Sequence, residues 1–286
     1  MNKRKTGMIF FLIIICVFVF VGGYFYGRNT AVTDIKKGKV LLSYGDDINK
    51  MDINKFDKTK ATLLPSDTKY LLVIYLDSKC GSCYKQLETF ERYEELLKKQ
   101  IEVALLWGNG IPNQNYEKYG IKESNVFYLD GNKTLSESPS AYIINSKGNI
   151  VFTTSDMKKI MEKIIKMEDI NVQEIVLNSN NYLKDMIQED NSKTDMIYFA
   201  MEGCKDCEAA NQIIDEDITT IYNIEKIYTE NDYGSEQFVD LNDIFATLYD
   251  ISWYPSFLII EDNQNYRIVG ETPIDKLKEA LLNPKE

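Results

Sequence analysis

Four of the five cysteines stand in two Cys-x-x-Cys pairs, Cys80 and Cys83 in "DSKCGSCYKQ" and Cys204 and Cys207 in "MEGCKDCEAA". Paired thiols at this spacing do three kinds of chemistry: they hold zinc, close a structural disulfide, or exchange disulfides with another molecule. Zinc is disfavoured because 120 residues lie between Cys83 and Cys204, far beyond a zinc ribbon. A structural staple is disfavoured because so short a loop removes little entropy from the unfolded chain. Exchange remains. The fifth cysteine, Cys16, lies alone in an apolar run and reads as a packing or lipid-facing residue. The chain has no histidine, which excludes imidazole catalysis and His-based metal sites. A net charge of −11 argues against nucleic-acid binding, which needs a basic face.

Each pair follows a strand-like run. "KYLLVIYLD", 69–77, is nearly continuous in apolar residues, the pattern of a strand buried on both faces, and "DMIYFA" precedes the second pair. After Cys83, residues Leu87, Phe90, Tyr93, Leu96 and Leu97 recur at spacings of three and four, which predicts an amphipathic helix. "CEAANQIIDE" is read as the matching helix of the second half. Further on, "SPSAYIINSKGNIVFTT" and "YPSFLIIEDNQNYRIVG" each read as a proline-led hairpin with a closing helix behind it. The order strand, Cys-x-x-Cys, helix, strand, hairpin, helix therefore occurs twice, an internal repeat. "INKMDINKFDKTKATLLPSD" reads as a polar connection, and "DEDI" as a solvated acidic run.

The N-terminus is organised differently. "MNKRKTG" is followed by 19 uncharged residues, 8–26, long enough to span a bilayer core. The exit through "GGYFYGRN" lacks a small-residue cleavage signal, so the run is read as an uncleaved anchor. Lys3, Arg4 and Lys5 before it are nearly balanced by Arg28, Lys36, Lys37 and Lys39 after it, which leaves the topology open on charge alone.

The layout resembles the thioredoxin superfamily. The residues that carry the resemblance are "CGSC" and "CKDC", each at a helix start behind a strand, with "SPSAYII" and "YPSFLII" downstream. Pro139 stands 59 residues after Cys80, and Pro255 stands 51 after Cys204. The first half is similar to membrane-anchored extracytoplasmic thiol-disulfide oxidoreductases. The resemblance implies that Pro139 and Pro255 are cis, lie against the sulfurs and, with Ser138 and Tyr254, meet an extended substrate. It implies that Cys80 and Cys204 attack and that Cys83 and Cys207 resolve the mixed disulfide. A helix N-terminus supports that role by stabilising a thiolate. The chain departs from the family pattern at Ile74 and Tyr198, where thioredoxins carry a buried acid, and in having Lys79 and Gly203 where an aromatic residue is usual. Lys79 and Lys85, opposed by Asp77, flank the first pair. Glu202, Asp206 and Glu208, opposed by Lys205, flank the second. The 80/83 disulfide is therefore expected to be the better oxidant.

The expected protein is α/β. It has a basic tail over 1–7, an anchor over 8–26, a tether over 27–37 and two tandem thioredoxin-like domains over 38–169 and 170–286, each a central mixed sheet flanked by helices. Its expected work is thiol-disulfide exchange outside the cytoplasmic membrane. Its expected partners are cysteine-containing protein substrates and a redox partner protein, with no cofactor beyond the cysteines and no metal. The competing reading is an anchored binding or accessory module in which one or both pairs do not turn over.

Overall fold

The computed structural model describes residues 39–110, 116–119, 121–131, 133–187, 192–214, 216–229 and 241–283. The anchor and tether, 8–37, lie outside the described residues. Among the described residues, no helix is long and apolar enough to cross a membrane.

The fold is mixed α/β and holds two larger sheets. The first is ordered β3-β2-β6-β5-β4-β8-β9, with β2 Ile53–Lys55, β3 Lys60–Ala61, β4 Tyr70–Asp77, β5 Glu102–Gly108, β6 Val126–Leu129, β8 Ser140–Asn145 and β9 Ile150–Thr154. A two-residue pairing of β1 Lys39–Val40 with β7 Thr134–Leu135 sits beside it. The second sheet is ordered β11-β10-β12-β13, with β10 Thr194–Met201, β11 Tyr222–Thr229, β12 Ser256–Ile260 and β13 Tyr266–Val269. The helices are α1 Leu87–Leu97, α2 Lys159–Ile164, α3 Val172–Met186, α4 Lys205–Ile213, α5 Glu216–Ile221, α6 Leu241–Leu248 and α7 Ile274–Leu282.

The two runs ahead of the cysteine pairs are the interior strands β4 and β10. Leu71 to Leu76 are buried without a break, as an uninterrupted apolar run requires when both faces are covered. Each strand has a parallel neighbour on one side and an antiparallel one on the other: β5 and β8 flank β4, and β11 and β12 flank β10. The register repeats as well. Tyr75, five residues before Cys80, pairs with Ser140, the residue after Pro139. Phe199, five residues before Cys204, pairs with Ser256, the residue after Pro255. Antiparallel pairing therefore carries each proline to the end of the central strand where the cysteines stand.

Alternation along β4 sorts its side chains. Leu71, Val73 and Tyr75 pack with Ile48, Ile53 and Leu63 on one face. Leu72, Ile74 and Leu76 join Phe90 and Tyr93 of α1 on the other. That second face belongs to a cluster that continues through Ile160 of α2, Ile175 and Leu183 of α3, Phe245 of α6, and Ile197 and Phe199 of β10. One apolar core thus lies between the two sheets. The opposite face of β10, with Met196, Tyr198 and Ala200, packs against Cys207 and Ala210 of α4 and Leu277 and Leu281 of α7.

One segment differs from its sequence reading. The polar connection contains a 3₁₀ turn at Ile48–Lys50, then β2 and β3, because isolated apolar residues inside polar stretches, Ile48 and Ile53, are recruited by non-local pairing of β2 with β6. The acidic run is solvated as read: Glu216 and Asp217 are exposed at the start of α5, which buries Ile218.

Candidate active site

Cys80 and Cys83 follow β4 directly. Asp77, the last residue of the strand, accepts the Cys80 N–H at its carbonyl (3.0 Å), and the Cys83 N–H bonds the Cys80 carbonyl (3.1 Å). That i→i+3 bond is the mark of a 3₁₀ turn, which runs over Gly81–Gln86 and passes into α1. The first pair therefore sits in a tight turn ahead of the α-helix, where an α-helical start was expected. The second pair keeps the expected form. Cys204 is the N-cap of α4, and its sulfur accepts the Cys207 N–H at 3.1 Å. A backbone donor aimed at sulfur from a helix start favours the thiolate once the bond is reduced.

Each pair is closed as its own disulfide, with Cα–Cα separations of 5.3 Å and 5.2 Å. Among the described residues, no three cysteine or acidic side chains gather as a metal site. The burial is asymmetric in the same sense in both pairs. Cys83 and Cys207 are buried, at 0% and 3% exposure, while Cys80 and Cys204 are partly open to solvent. An incoming thiol or disulfide can reach only the first member of each pair.

The Ser138–Pro139 and Tyr254–Pro255 bonds are both cis, and both prolines are buried. The residue before each proline meets a sulfur, but in different ways. The Ser138 hydroxyl oxygen lies 3.2 Å from Cys83 Sγ. At the other site the Tyr254 carbonyl oxygen lies 3.8 Å from Cys204 Sγ. The structure thus brings Ser138 and Pro139 to the first pair and Tyr254 and Pro255 to the second.

Sequence reasoning missed the residue after each proline. Ser140 and Ser256 are buried, and each hydroxyl donates to the carbonyl three residues back, Glu137 at 3.1 Å and Trp253 at 2.6 Å. The repeated "PS" of "SPSAYII" and "YPSFLII" was the available signal. A short serine hydroxyl is suited to this local side-chain-to-backbone bond, which pins the proline turn next to the sulfur.

The two positions that depart from the family pattern are both packed. Ile74 is fully buried in the shared core. Tyr198 is buried, stacks on Phe257 at 4.6 Å, and donates its hydroxyl to the Cys207 carbonyl at 2.8 Å. Burial pushes that hydroxyl up to about 12, so it remains a donor at neutral pH. The Lys226 ammonium stands 4.6 Å from the Tyr198 ring centre. Around the first pair, both oxygens of Asp77 accept the Asn109 amide at 2.9 and 2.8 Å, and one also accepts the Lys79 N–H at 2.8 Å. Tyr84 lies against Trp107, with ring centres 5.5 Å apart. Trp253, 52% exposed, stands next to Tyr254 at the second site.

No family profile matches the chain, and no curated protein matches its sequence. Solved structures do. The pneumococcal exposed lipoprotein thioredoxin of Streptococcus pneumoniae is 15% identical over 36% of this chain and 85% of its own, with a TM-score of 0.26. A thiol:disulfide interchange protein from Bacteroides sp. is 15% identical over 39% of this chain and 81% of its own, with a TM-score of 0.29. StoA from Bacillus subtilis is 14% identical over 36% of this chain and 84% of its own, with a TM-score of 0.25. Each of these matches spans little more than a third of the chain.

Proposed function

We propose that this chain is a membrane-anchored thiol-disulfide oxidoreductase built of two thioredoxin-like domains in tandem, 38–169 and 170–286, behind an anchor at 8–26. It exchanges electrons with cysteines of protein substrates outside the cytoplasmic membrane, and a second redox protein renews it. The observation that carries this reading is the repeated burial order at the ends of β4 and β10: a half-exposed first cysteine, a buried second cysteine, and a proline-led strand beside the sulfurs. A structural disulfide has no need of one exposed member. An exchange site needs it, because attack passes through a mixed disulfide that the buried thiol then resolves.

In the proposed cycle, a substrate thiolate attacks Cys80 Sγ. The Cys80–Cys83 bond breaks, a substrate–Cys80 bond forms, and the electron pair of the broken bond stays on Cys83. A second substrate thiolate then attacks the substrate sulfur and releases Cys80. The substrate leaves with a disulfide and the pair remains as a dithiol. The reverse sequence reduces a substrate. The same steps apply at Cys204 and Cys207.

The test is exchange with glutathione and with a cysteine-bearing peptide, using the full chain in detergent. Cys80→Ala and Cys204→Ala are each expected to abolish exchange at their own pair and leave the other. Cys83→Ala and Cys207→Ala are expected to trap mixed disulfides at Cys80 and Cys204. If all four cysteine variants match the parent in exchange, or if both parent pairs stay oxidised below about −300 mV, the anchored binding module becomes the better reading.

A further inference from the structure

We propose that Asn109 is a positioning residue for exchange at Cys80: through the Asp77 carboxylate it fixes the turn that presents the Cys80 sulfur to an incoming thiol. The proposal rests on the reading of the 80/83 pair as redox-active. It begins with the run "GNG" at 108–110, where β5 stops beside the last residue of β4. Asn109 has a φ of 58°, in the left-handed region that non-glycine residues seldom occupy and that asparagine tolerates best among them. Gly110 follows in the same region with a φ of 89°. A backbone of this kind persists only where its surroundings hold it, and such positions gather at working sites. Asn109 is held on every side. Its N–H donates to the Lys133 carbonyl at 3.3 Å, and its own carbonyl accepts the Ser78 hydroxyl at 3.0 Å. Its side-chain amide reaches both Asp77 oxygens, at 2.9 and 2.8 Å.

These bonds pass along the chain to the sulfur. The Ser78 N–H donates to the Gly108 carbonyl at 3.2 Å, one residue beyond the β4–β5 pairing. Asp77 Oδ1 accepts the Lys79 N–H at 2.8 Å, and the Asp77 carbonyl accepts the Cys80 N–H at 3.0 Å. The turn from Asp77 to Cys80 is thus tied to Gly108 and Asn109 at one residue and to Asp77 at the next two. Asn109, by spanning both carboxylate oxygens, sets the direction in which Asp77 meets the Lys79 N–H. Exchange depends on that geometry. A thiolate must approach Cys80 Sγ along the line of the Cys80–Cys83 bond, and Cys83 is buried, so the approach is open only from the solvent side of Cys80.

The second site supplies an internal contrast. Met201 stands three residues before Cys204, as Asp77 stands before Cys80. Its carbonyl accepts the Cys204 N–H at 3.3 Å, but its side chain carries no carboxylate. The second turn is anchored by the helix instead, with Cys204 as the cap of α4 and the Cys207 N–H donated to its sulfur. At the first pair the Cys83 N–H bonds the Cys80 carbonyl inside a 3₁₀ turn, so that donor does not hold the sulfur. The placing of Cys80 falls to the turn before it, and that is where the Asp77–Asn109 pair acts.

The experiment follows reduction of the full chain by glutathione in detergent, quenched by alkylation over time, with thiols counted pair by pair by mass spectrometry. A glutathione thiolate bonds to Cys80 Sγ, and the Cys80–Cys83 bond breaks with its electron pair left on Cys83. A second glutathione thiolate then releases Cys80 as glutathione disulfide forms. Asn109→Asp sets carboxylate against carboxylate and removes the donor, and is expected to slow reduction of 80/83 about tenfold. Asn109→Gly keeps the left-handed backbone and lacks only the amide. It is expected to slow the same pair several-fold while its urea midpoint stays near the parent. The double variant Asp77→Asn, Asn109→Asp exchanges amide and carboxylate and rebuilds the bond. It is expected to recover to within about threefold of the parent rate. The 204/207 pair is expected to keep its parent rate in all three. Parent rates at 80/83 in both single variants, equal slowing at both pairs, or a double variant no faster than Asn109→Asp overturns the proposal. If the parent 80/83 pair does not react with glutathione, the redox reading fails instead, and the same comparison is made on the rate at which dithiothreitol opens the pair.

Discussion

Tyr198 shows how a single residue replaces an expected chemistry with a mechanical one. Thioredoxins carry a buried acid at its place in the strand, and this chain puts a phenol there. Burial holds the phenol's own proton on up to about 12, so at neutral pH it is a donor. It grips the first turn of α4 through the Cys207 carbonyl. Tyr198→Phe is expected to cost about 1 kcal/mol of stability, the net worth of one hydrogen bond, in urea unfolding of the oxidised protein, with the 80/83 pair unaffected. A loss confined to exchange at 204/207 with no change in stability would show that the phenol acts on the chemistry itself. Gly108 makes a similar point at the first sheet. A Cβ on it would collide with the Tyr75 hydroxyl, which accepts the Leu135 N–H at 3.0 Å. Gly108→Ala is therefore expected to cost about 1–3 kcal/mol by overpacking, read as a lower midpoint in the same unfolding curve. Neither contact was legible in the sequence. The cysteines and prolines were, because their types announce their chemistry, whereas a tyrosine or glycine in an apolar run looks like any other core residue until the pairing of strands sets its neighbour.

The elements repeat that distinction. The helix α1 was legible from five apolar residues at helical spacing, all of which are fully buried. The strands β2 and β3 were not, because they are short and polar: β2 takes its form from β6, more than 70 residues away in sequence, and β3 pairs with β2. The approach to β4 depends on another non-local group. Glu102, at the start of β5, accepts the N–H groups of Ser66, Asp67 and Thr68 at 2.7, 2.8 and 3.1 Å. Burial alone would raise its pKa, but these bonds to the ionised form outweigh burial and hold it below the ordinary carboxylate range. A carboxyl lowered in the folded state adds stability that is present above its unfolded value and lost as pH falls through the folded value. Glu102→Gln is accordingly expected to cost about 1–2 kcal/mol at neutral pH, limited by partial solvation. The difference between parent and variant should shrink as the pH is taken down through the acid range. A difference that is constant from pH 7 to pH 3 would mean that the charge on Glu102 contributes nothing.

At the scale of the molecule, the repeat visible in the sequence suggests two halves in tandem, and a single apolar cluster takes in residues of both sheets. The helix α3 stands at the join. Asn178 Nδ2 donates to the Leu96 carbonyl at 3.0 Å, and Gln100 Nε2 donates to Glu174 at 2.8 Å, which ties α3 to the end of α1 and the residues after it. On the other side, Tyr182 stacks on Phe245 at 5.9 Å, and the Tyr249 hydroxyl lies 2.8 Å from Ser179 Oγ and 2.6 Å from Asn180 Oδ1. Ile175 and Leu183 enter the core that lies between the sheets. Separate unfolding of either half would open that core to water and leave Ser179 and Asn180, both fully buried, without their packing. The chain is therefore expected to unfold in one transition, with amides of β4 and β10 losing hydrogen-exchange protection together as denaturant rises. Leu183→Ala should lower the protection of both strands by a similar amount, about 2–5 kcal/mol for a large-to-small change in a tight core. Protection lost from β10 alone, with β4 at its parent value, would show that the halves are energetically separate. The placement of the two disulfides also matters at this scale. Cys83 belongs to the core between the sheets, while Cys207 packs in the cluster on the far face of β10. The second sheet thus stands between the two buried sulfurs, and each pair is met by the residue before its own proline, at Cys83 in the first and at Cys204 in the second. That arrangement suits two sites that meet different partners. Mixed disulfides trapped on Cys83→Ala and on Cys207→Ala in the same membranes should then carry different proteins, and identical sets on both would show that the sites share one substrate pool.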